Sequence, residues 1–278
     1  MSFKTILVHV DGGPCQQSRL RAAAVLAAAN GAHLVGSAAT GVSYSSYAVL
    51  NGSMAIPVSN RDFQELRDAV WVQLDDFMAQ AERLGIHGAE ARMVEDADRD
   101  GLLLQSRYAD LVVLSQDKQH DRARTERGLP QYLALHGARP VLVVPDTYHG
   151  KPIPGDVLVG WDGSMPAQRA INAALPLLAQ AGTVHLAVVN PDLQSGLHGD
   201  EPGADMAHYL ARHGMKVDVA VAHTRAPEGE ALMDMARDCH AGLMVTGAFG
   251  HSRYREWILG GATRTLLGHA PAPLLTAH

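Results

Sequence analysis

The chain repeats itself, and that repeat limits its fold more than any other feature. The run Ile6-Leu7-Val8-His9-Val10-Asp11-Gly12-Gly13 answers to Val157-Leu158-Val159-Gly160-Trp161-Asp162-Gly163-Ser164, with Asp11 and Asp162 standing 151 positions apart. The offset survives the helical stretch that follows, since Gly31 answers to Gly182. Further along, Ala109-Asp110-Leu111-Val112-Val113 matches Ala241-Gly242-Leu243-Met244-Val245 at an offset of 132. Pro140 and Pro273 then precede the closing apolar runs, 133 apart. The drop from 151 to 132 puts 19 extra residues in the middle of the first half. Two domains are therefore expected, 1–146 and 156–278, each of ordinary domain size. Between them lies DTYHGKPIPGD, rich in the Pro and Gly that interrupt regular structure.

Within the first half, short apolar runs at 5–10, 33–38, 89–94, 111–115 and 141–144 alternate with helical stretches at 16–29, 61–84, 100–107 and 129–136. The runs lack polar alternation, as strands covered on both faces do. In the second half Pro176 falls inside the helix expected at 167–181 and suggests a kink. Strand and helix in strict alternation mean an α/β fold, two tandem doubly wound five-stranded parallel sheets with right-handed crossovers. Such sheets bind ligands beyond the carboxyl ends of their strands. Asp11, Asp162, Gly247 and Gly250 all fall at such ends.

The richest stretch is VTGAFGHSRYREWILGGATRTLL, residues 245–267. An apolar run enters Gly247; Gly250 follows after two residues, and the pair Gly260-Gly261 after nine more. A strand ending in glycine, with small residues opening the next helix, presents bare N–H groups and the positive end of a helix dipole to an anion. The same glycines also serve a loop that needs only to turn. Asp162 can accept from an exocyclic amine or a ribose hydroxyl, or it can cap the helix starting near Pro166. Trp161 can stack on a base or pack against the neighbouring strand. Val188 and Val189 could wall a flat ring. A base pocket on one side and bare amides on the other suit a nucleotide.

Composition closes off other classes. A net charge of −6 argues against a nucleic-acid surface, and the one basic run, KQHDRARTER, is interleaved with acids and reads as a solvated loop. Cys15 and Cys239 stand far apart in no metal spacing, as in a cytoplasmic protein with reduced thiols. No leader-like segment opens the sequence and no apolar run reaches about 20 residues, so neither export nor a membrane partner is expected. The 15 histidines form no metal-binding pattern, though His251 sits beside Gly250. Residues 41–60 hold most of the extra length and read as a lid, a docking surface or a plain surface loop.

From VLVGWDGS through VTGAFG to GGATRTLL, the second half resembles the universal stress protein family along its full length. That family carries the ATP signature Gly-x2-Gly-x9-Gly-Ser/Thr on a Rossmann-like, adenine-nucleotide alpha hydrolase-like sheet whose first strand ends in Asp. The resemblance implies ATP or a related adenine nucleotide, with Mg²⁺ as an accompanying ion. It nominates Gly160, Trp161, Asp162, Val189, Thr246, Gly247, Phe249, Gly250, Gly260, Gly261, Ala262 and Thr263 as the binding set. The family's small hydroxyl residue falls on Gly261, which loses one phosphate contact but keeps the N–H; the Thr263 hydroxyl is expected to compensate. No catalytic residue is nominated, and slow ATP hydrolysis is the most that the resemblance allows.

The first half resembles the same fold with its motif worn away. Ser115-Gln116-Asp117-Lys118 replaces the glycine turn, and Arg127, Gly128, Leu129 and Pro130 stand for residues 260–263. It is expected to bind no ATP and to serve as a structural partner. Two such domains pair in the family through their last strands, so 140–144 and 273–275 should lie side by side as an intrachain pseudo-dimer; whether two chains pair further as a homodimer stays open. The resemblance also implies a role in stress response, with an unidentified protein partner. A scaffold that binds no nucleotide is the alternative, favoured by Gly261. An adenylating enzyme would need an SGGxDS-like loop, which DGGPCQQS echoes only loosely.

Overall fold

The computed structural model describes residues 2–43, 46, 49, 60–116, 128–192, 200–249 and 261–278. The first half runs β1 (Thr5–His9), α1 (Gln16–Asn30), β2 (His33–Ala39), α2 (Asn60–Arg83), β3 (Glu90–Val94), α3 (Asp98–Ser106), β4 (Leu111–Ser115), α4 (Leu129–His136) and β5 (Val141–Val144). The second runs β6 (Val157–Gly160), α5 (Met165–Leu178), β7 (Val184–Val189), α6 (Ala204–Arg212), β8 (Val217–Ala222), α7 (Glu228–Asp238), β9 (Leu243–Gly247), α8 (Gly261–His269) and β10 (Leu274–Ala277). Most of residues 41–60, the expected lid or loop, lie outside the described residues.

Among the described residues the strands form one ten-stranded sheet, ordered β3-β2-β1-β4-β5-β10-β9-β6-β7-β8. Each half is a parallel 3-2-1-4-5 arrangement, and the repeat is visible in the register. Ile6 stands beside Leu111 as Val157 stands beside Leu243, and Val112 beside Val141 as Met244 beside Leu274. The apolar runs that lacked alternation are buried along their whole length: β5 and β6 expose no residue. Both faces are covered, as such runs require. Leu20, Leu74, Ile171 and Leu210 of α1, α2, α5 and α6 pack on one face. Leu102, Leu133, Met233 and Leu266 of α3, α4, α7 and α8 pack on the other. Gly31 ends α1 in the left-handed conformation at φ 59°, with its N–H on the Ala27 carbonyl. The helix α5 continues through Pro176 and ends two residues later.

The halves meet at the last strands. β10 pairs antiparallel with β5, Leu275 opposite Leu142, and parallel with β9 on its other side. Gln116, just past β4, donates from Nε2 to the Ala270 carbonyl across this seam at 2.8 Å. Among the described residues no helix is long and apolar enough to cross a membrane.

Leu275 and Leu142 are both fully buried on the same face of the seam. Leu275→Ala is expected to destabilise the chain by about 2–5 kcal/mol. Because the sheet and both cores run through the seam, thermal unfolding followed by circular dichroism should remain one transition at a lower midpoint. Two separated transitions would show that the halves fold independently.

Candidate functional site

Strands β6, β9 and β7 end side by side, and their carboxyl ends carry most of the nominated residues. Gly160, Trp161 and Asp162 leave β6, Thr246 and Gly247 close β9, and Val189 closes β7. Beyond Asp162 the chain turns through Gly163 at φ 73°. Asp162 Oδ1 accepts from the Ser164 N–H at 2.9 Å, and Ser164 Oγ accepts from the Ala167 N–H at 3.2 Å. Ser164, not Asp162, is thus the N-cap of α5, and the helix opens at Met165. Asp162 shapes the turn ahead of the cap.

Of the alternatives, that for Val188 resolves toward packing. Trp161 is half-buried against the core cluster below it, with its N–H on the Ala187 carbonyl. Val188 is fully buried; a methyl group on Gly203 would come within 3.1 Å of its Cγ2. Val188 therefore belongs to the core and cannot wall a ligand, whereas Val189 is half-buried at the strand end.

Gly247 needs its missing side chain for contact rather than for conformation. Its φ is not in the left-handed range, but a Cβ there would lie 2.7 Å from the Pro166 carbonyl carbon and 2.9 Å from Ala167 Cα. The end of β9 thus sits directly against the first turn of α5, closer than any other residue allows. Gly160, by contrast, meets only side chains, with Thr246 Cγ2 at 3.1 Å.

After Gly247 the turn is held from β10 and from α8. The Ala248 N–H donates to the Ala277 carbonyl at 2.8 Å, and the Phe249 N–H donates to Thr263 Oγ1 at 3.1 Å. Phe249 takes φ 60°, uncommon for a bulky side chain. Thr263 is buried and its oxygen accepts from this turn, so the hydroxyl expected to compensate on a phosphate also braces the backbone. Gly261 opens α8 and is exposed; a Cβ added to it meets nothing among the described residues within 4 Å. Ala262 is fixed by α7, since a methyl on Gly229 would stand 3.0 Å from its Cα. Gly250, His251 and Gly260 lie outside the described residues.

The same crest in the first half is filled with side chains. Four small residues of the second half, Gly160, Ala167, Ala170 and Gly247, have His9, Gln16, Arg19 and Ser115 as counterparts. Arg19 has only 1% of its side chain exposed, and its guanidinium Nη2 donates to Asp11 Oδ1 at 2.7 Å. Its Nη1 donates to Ser115 Oγ at 2.7 Å, and that hydroxyl donates onward to the Cys15 carbonyl. Gln16 Oε1 accepts from the Gly12 N–H at 2.8 Å and the Asp11 N–H at 3.2 Å, while Asp11 Oδ1 accepts from Gly13. The carboxylate and the turn amides are consumed internally. Alignment of the halves could have signalled this, because a buried arginine over an alanine has to find an acid.

The electrostatics follow from the burial. Burial alone would push the Asp11 carboxyl up; Arg19, by charge and hydrogen bonds, outweighs it and holds Asp11 below its ordinary value. His9 is buried beside the pair, 3.7 Å from Asp11, and desolvation together with the Arg19 charge lowers its pKa from 6.5 to about 4. Among the described residues no group of three or more His, Cys, Asp and Glu could hold a metal ion.

Comparisons with known proteins bear on the fold. Residues 155–278 match the model of the Universal stress protein family. A universal stress protein from Archaeoglobus fulgidus is 14% identical, with a TM-score of 0.73 over 98% of this chain and 95% of that one. A functionally unknown protein from Pseudomonas aeruginosa is 14% identical, with a TM-score of 0.55 over 99% and 92%. A universal stress protein in complex with cAMP is 21% identical and covers 53% of this chain and 100% of its own, with a TM-score of 0.40 that carries no argument about this site. No curated protein matches.

Two outcomes follow from the geometry. The unfolded His9 takes up a proton near pH 6.5 while the folded one waits until about pH 4, so this residue's contribution falls as pH drops through that window. The loss amounts to about 3 kcal/mol. Urea unfolding at pH 7, 5.5 and 4.5 should show it, with a shallower slope in His9→Asn. Gly247→Ala must push β9 from α5 and should cost about 1–3 kcal/mol, read as a melting midpoint several degrees lower; an unchanged midpoint would leave Gly247 needed only by a ligand.

Proposed function

We propose that this chain, whose residues 155–278 form a universal stress protein domain, is a tandem universal stress protein that binds ATP or a related adenine nucleotide in its second half and acts in stress response. The observation that carries this reading is the contrast between the two crests. In the first half Arg19, Gln16, His9 and Ser115 take up the carboxylate, the turn amides and the space above the strands. In the second half Ala170 and Ala167 stand where Arg19 and Gln16 do, so no guanidinium or amide side chain from these two positions fills the space above the strands. A ligand would occupy that space and meet the strand-end backbone there.

On this reading the base would face Asp162, Trp161 and Val189, with Gly160 and Thr246 beneath. The polyphosphate would lie toward Gly247, Phe249, Gly250, Gly260 and the N-terminus of α8 at Gly261, Ala262 and Thr263, where backbone donors and the helix dipole favour an anion. Mg²⁺ would be carried on phosphate oxygens and water, as that ion usually is. The first half, 1–146, would be the degenerate partner that completes the sheet for 156–278, in a cytoplasmic protein. Gly261 favours the second reading, a scaffold of the same fold that binds no nucleotide and docks a protein partner, because the position offers no hydroxyl.

Titration calorimetry of the purified chain with ATP, with and without Mg²⁺, separates the two, beside nucleotide analysis of the heat-denatured supernatant. Binding of one ATP per chain is expected; no heat and an empty supernatant would leave the scaffold. Space around Gly261 admits a side chain, so Gly261→Ser should fold as the parent does. Its hydroxyl should tighten ATP binding about tenfold, the size of one hydrogen bond to a charged group.

A further inference from the structure

The turn that follows β9 is gripped from a residue that no motif nominates. His278 Nδ1 lies 2.8 Å from the Ala248 carbonyl oxygen, and its ring meets Phe249 edge-on with centroids 6.1 Å apart. A carbonyl oxygen only accepts, so Nδ1 carries the hydrogen. The Ala248 N–H is held by the Ala277 carbonyl, so both polar groups of Ala248 are tied to the end of β10. Phe249 is then delivered in its left-handed conformation, with its N–H on Thr263 of α8. Backbone and ring contacts together fix the direction in which the chain leaves for Gly250.

The first half supplies the control. Its Gln116 N–H bonds the Val144 carbonyl as Ala248 bonds Ala277, so the backbone ladder is the same. The residue after Val144 is Pro145, where the second half has His278. Proline has no side-chain donor. The added bond therefore accompanies the half that keeps the glycine turn and is missing from the half whose crest is filled.

We propose that His278 is a positioning residue for the 247–249 turn and thereby sets the affinity of that turn for a polyphosphate. The affinity part rests on the nucleotide reading given above; the positioning part does not. The hydrogen bond acts by removing alternative directions for the Ala248 carbonyl before a ligand arrives, which lowers the ordering cost of binding.

Three variants of the full chain test this: His278→Ala, His278→Asn and His278→Gln. The Asn side-chain nitrogen is as many bonds from Cα as His Nδ1, whereas that of Gln is one carbon further out. In the absence of nucleotide, amide exchange at Phe249 should quicken in His278→Ala, return toward the parent rate in His278→Asn and stay fast in His278→Gln. ATP binding by calorimetry should weaken by about three- to tenfold in His278→Ala and recover in His278→Asn, with melting midpoints within a few degrees of the parent. Unchanged exchange in His278→Ala, or an Asn variant no better than Ala, overturns the positioning role. Should the parent bind no ATP while the exchange pattern holds, the nucleotide reading fails and the positioning role stands. Should exchange respond while ATP affinity does not, the link between turn and ligand is overturned.

Discussion

Everything in this molecule hangs on the antiparallel pairing of β5 with β10. Each half is a five-stranded parallel sheet that, alone, would end in a strand with one row of unpaired peptide groups, in the middle of an apolar face. Pairing Leu275 with Leu142 and Leu274 with Val143 satisfies those rows and lets both cores run unbroken beneath. The antiparallel join relates the halves by an approximate two-fold through the seam. A duplicated sequence thereby gains the contacts that a dimer would otherwise provide, at fixed stoichiometry.

Once the halves are locked, their crests can diverge without cost to the fold. The strands and helices that support them correspond; the side chains on the crest differ, the four pairs compared above among them. Where the residues are large and polar, they close on one another. Arg19 is buried with an acid beside it; the Ser115 hydroxyl takes its Nη1, and Gln16 takes two of the turn amides. Such a pair does little for net stability, since desolvating both charges offsets much of their attraction. Its effect is to engage the first crest's acid and turn amides from within. Where the residues are small, the backbone turn is the surface.

The strands were legible because burial on both faces leaves an unmistakable apolar run, and the repeat doubled the evidence for each one. The chosen bounds for β4, β5 and α4 are those of the structure. Asp162 and the glycine spacing also marked the crest. What sequence reasoning could not see were roles set by tertiary contact. Gly247 marks a strand end with bare N–H groups, and its lack of a side chain is also required by α5, some eighty residues away in the chain and pressed against it. Thr263 is matched to a phosphate, and the turn folds back to use its oxygen as an acceptor as well. Asp162 lost the cap to Ser164 because the chain still turns through Gly163 before the helix opens at Met165. Arg19 and His278 carry no motif at all; only laying one half over the other, Arg19 on Ala170 and Pro145 on His278, makes them conspicuous.

The two halves can be seen as opposite answers to one problem. A parallel sheet gathers strand ends and helix starts at a single edge, and with them a surplus of N–H groups that side chains, water or a ligand must meet. The first half meets it from within: Gln16 takes two turn amides and Asp11 a third. The second half has alanine where that glutamine stands, and it spends its side chains otherwise, on holding the backbone still. Ser164 caps α5, Thr263 holds Phe249, and His278 holds Ala248. Backbone held still in advance lowers the ordering cost of any ligand that uses it, because little order remains to be imposed on binding. Duplication permits this division, since the sheet needs both halves for its core but a ligand needs only one crest.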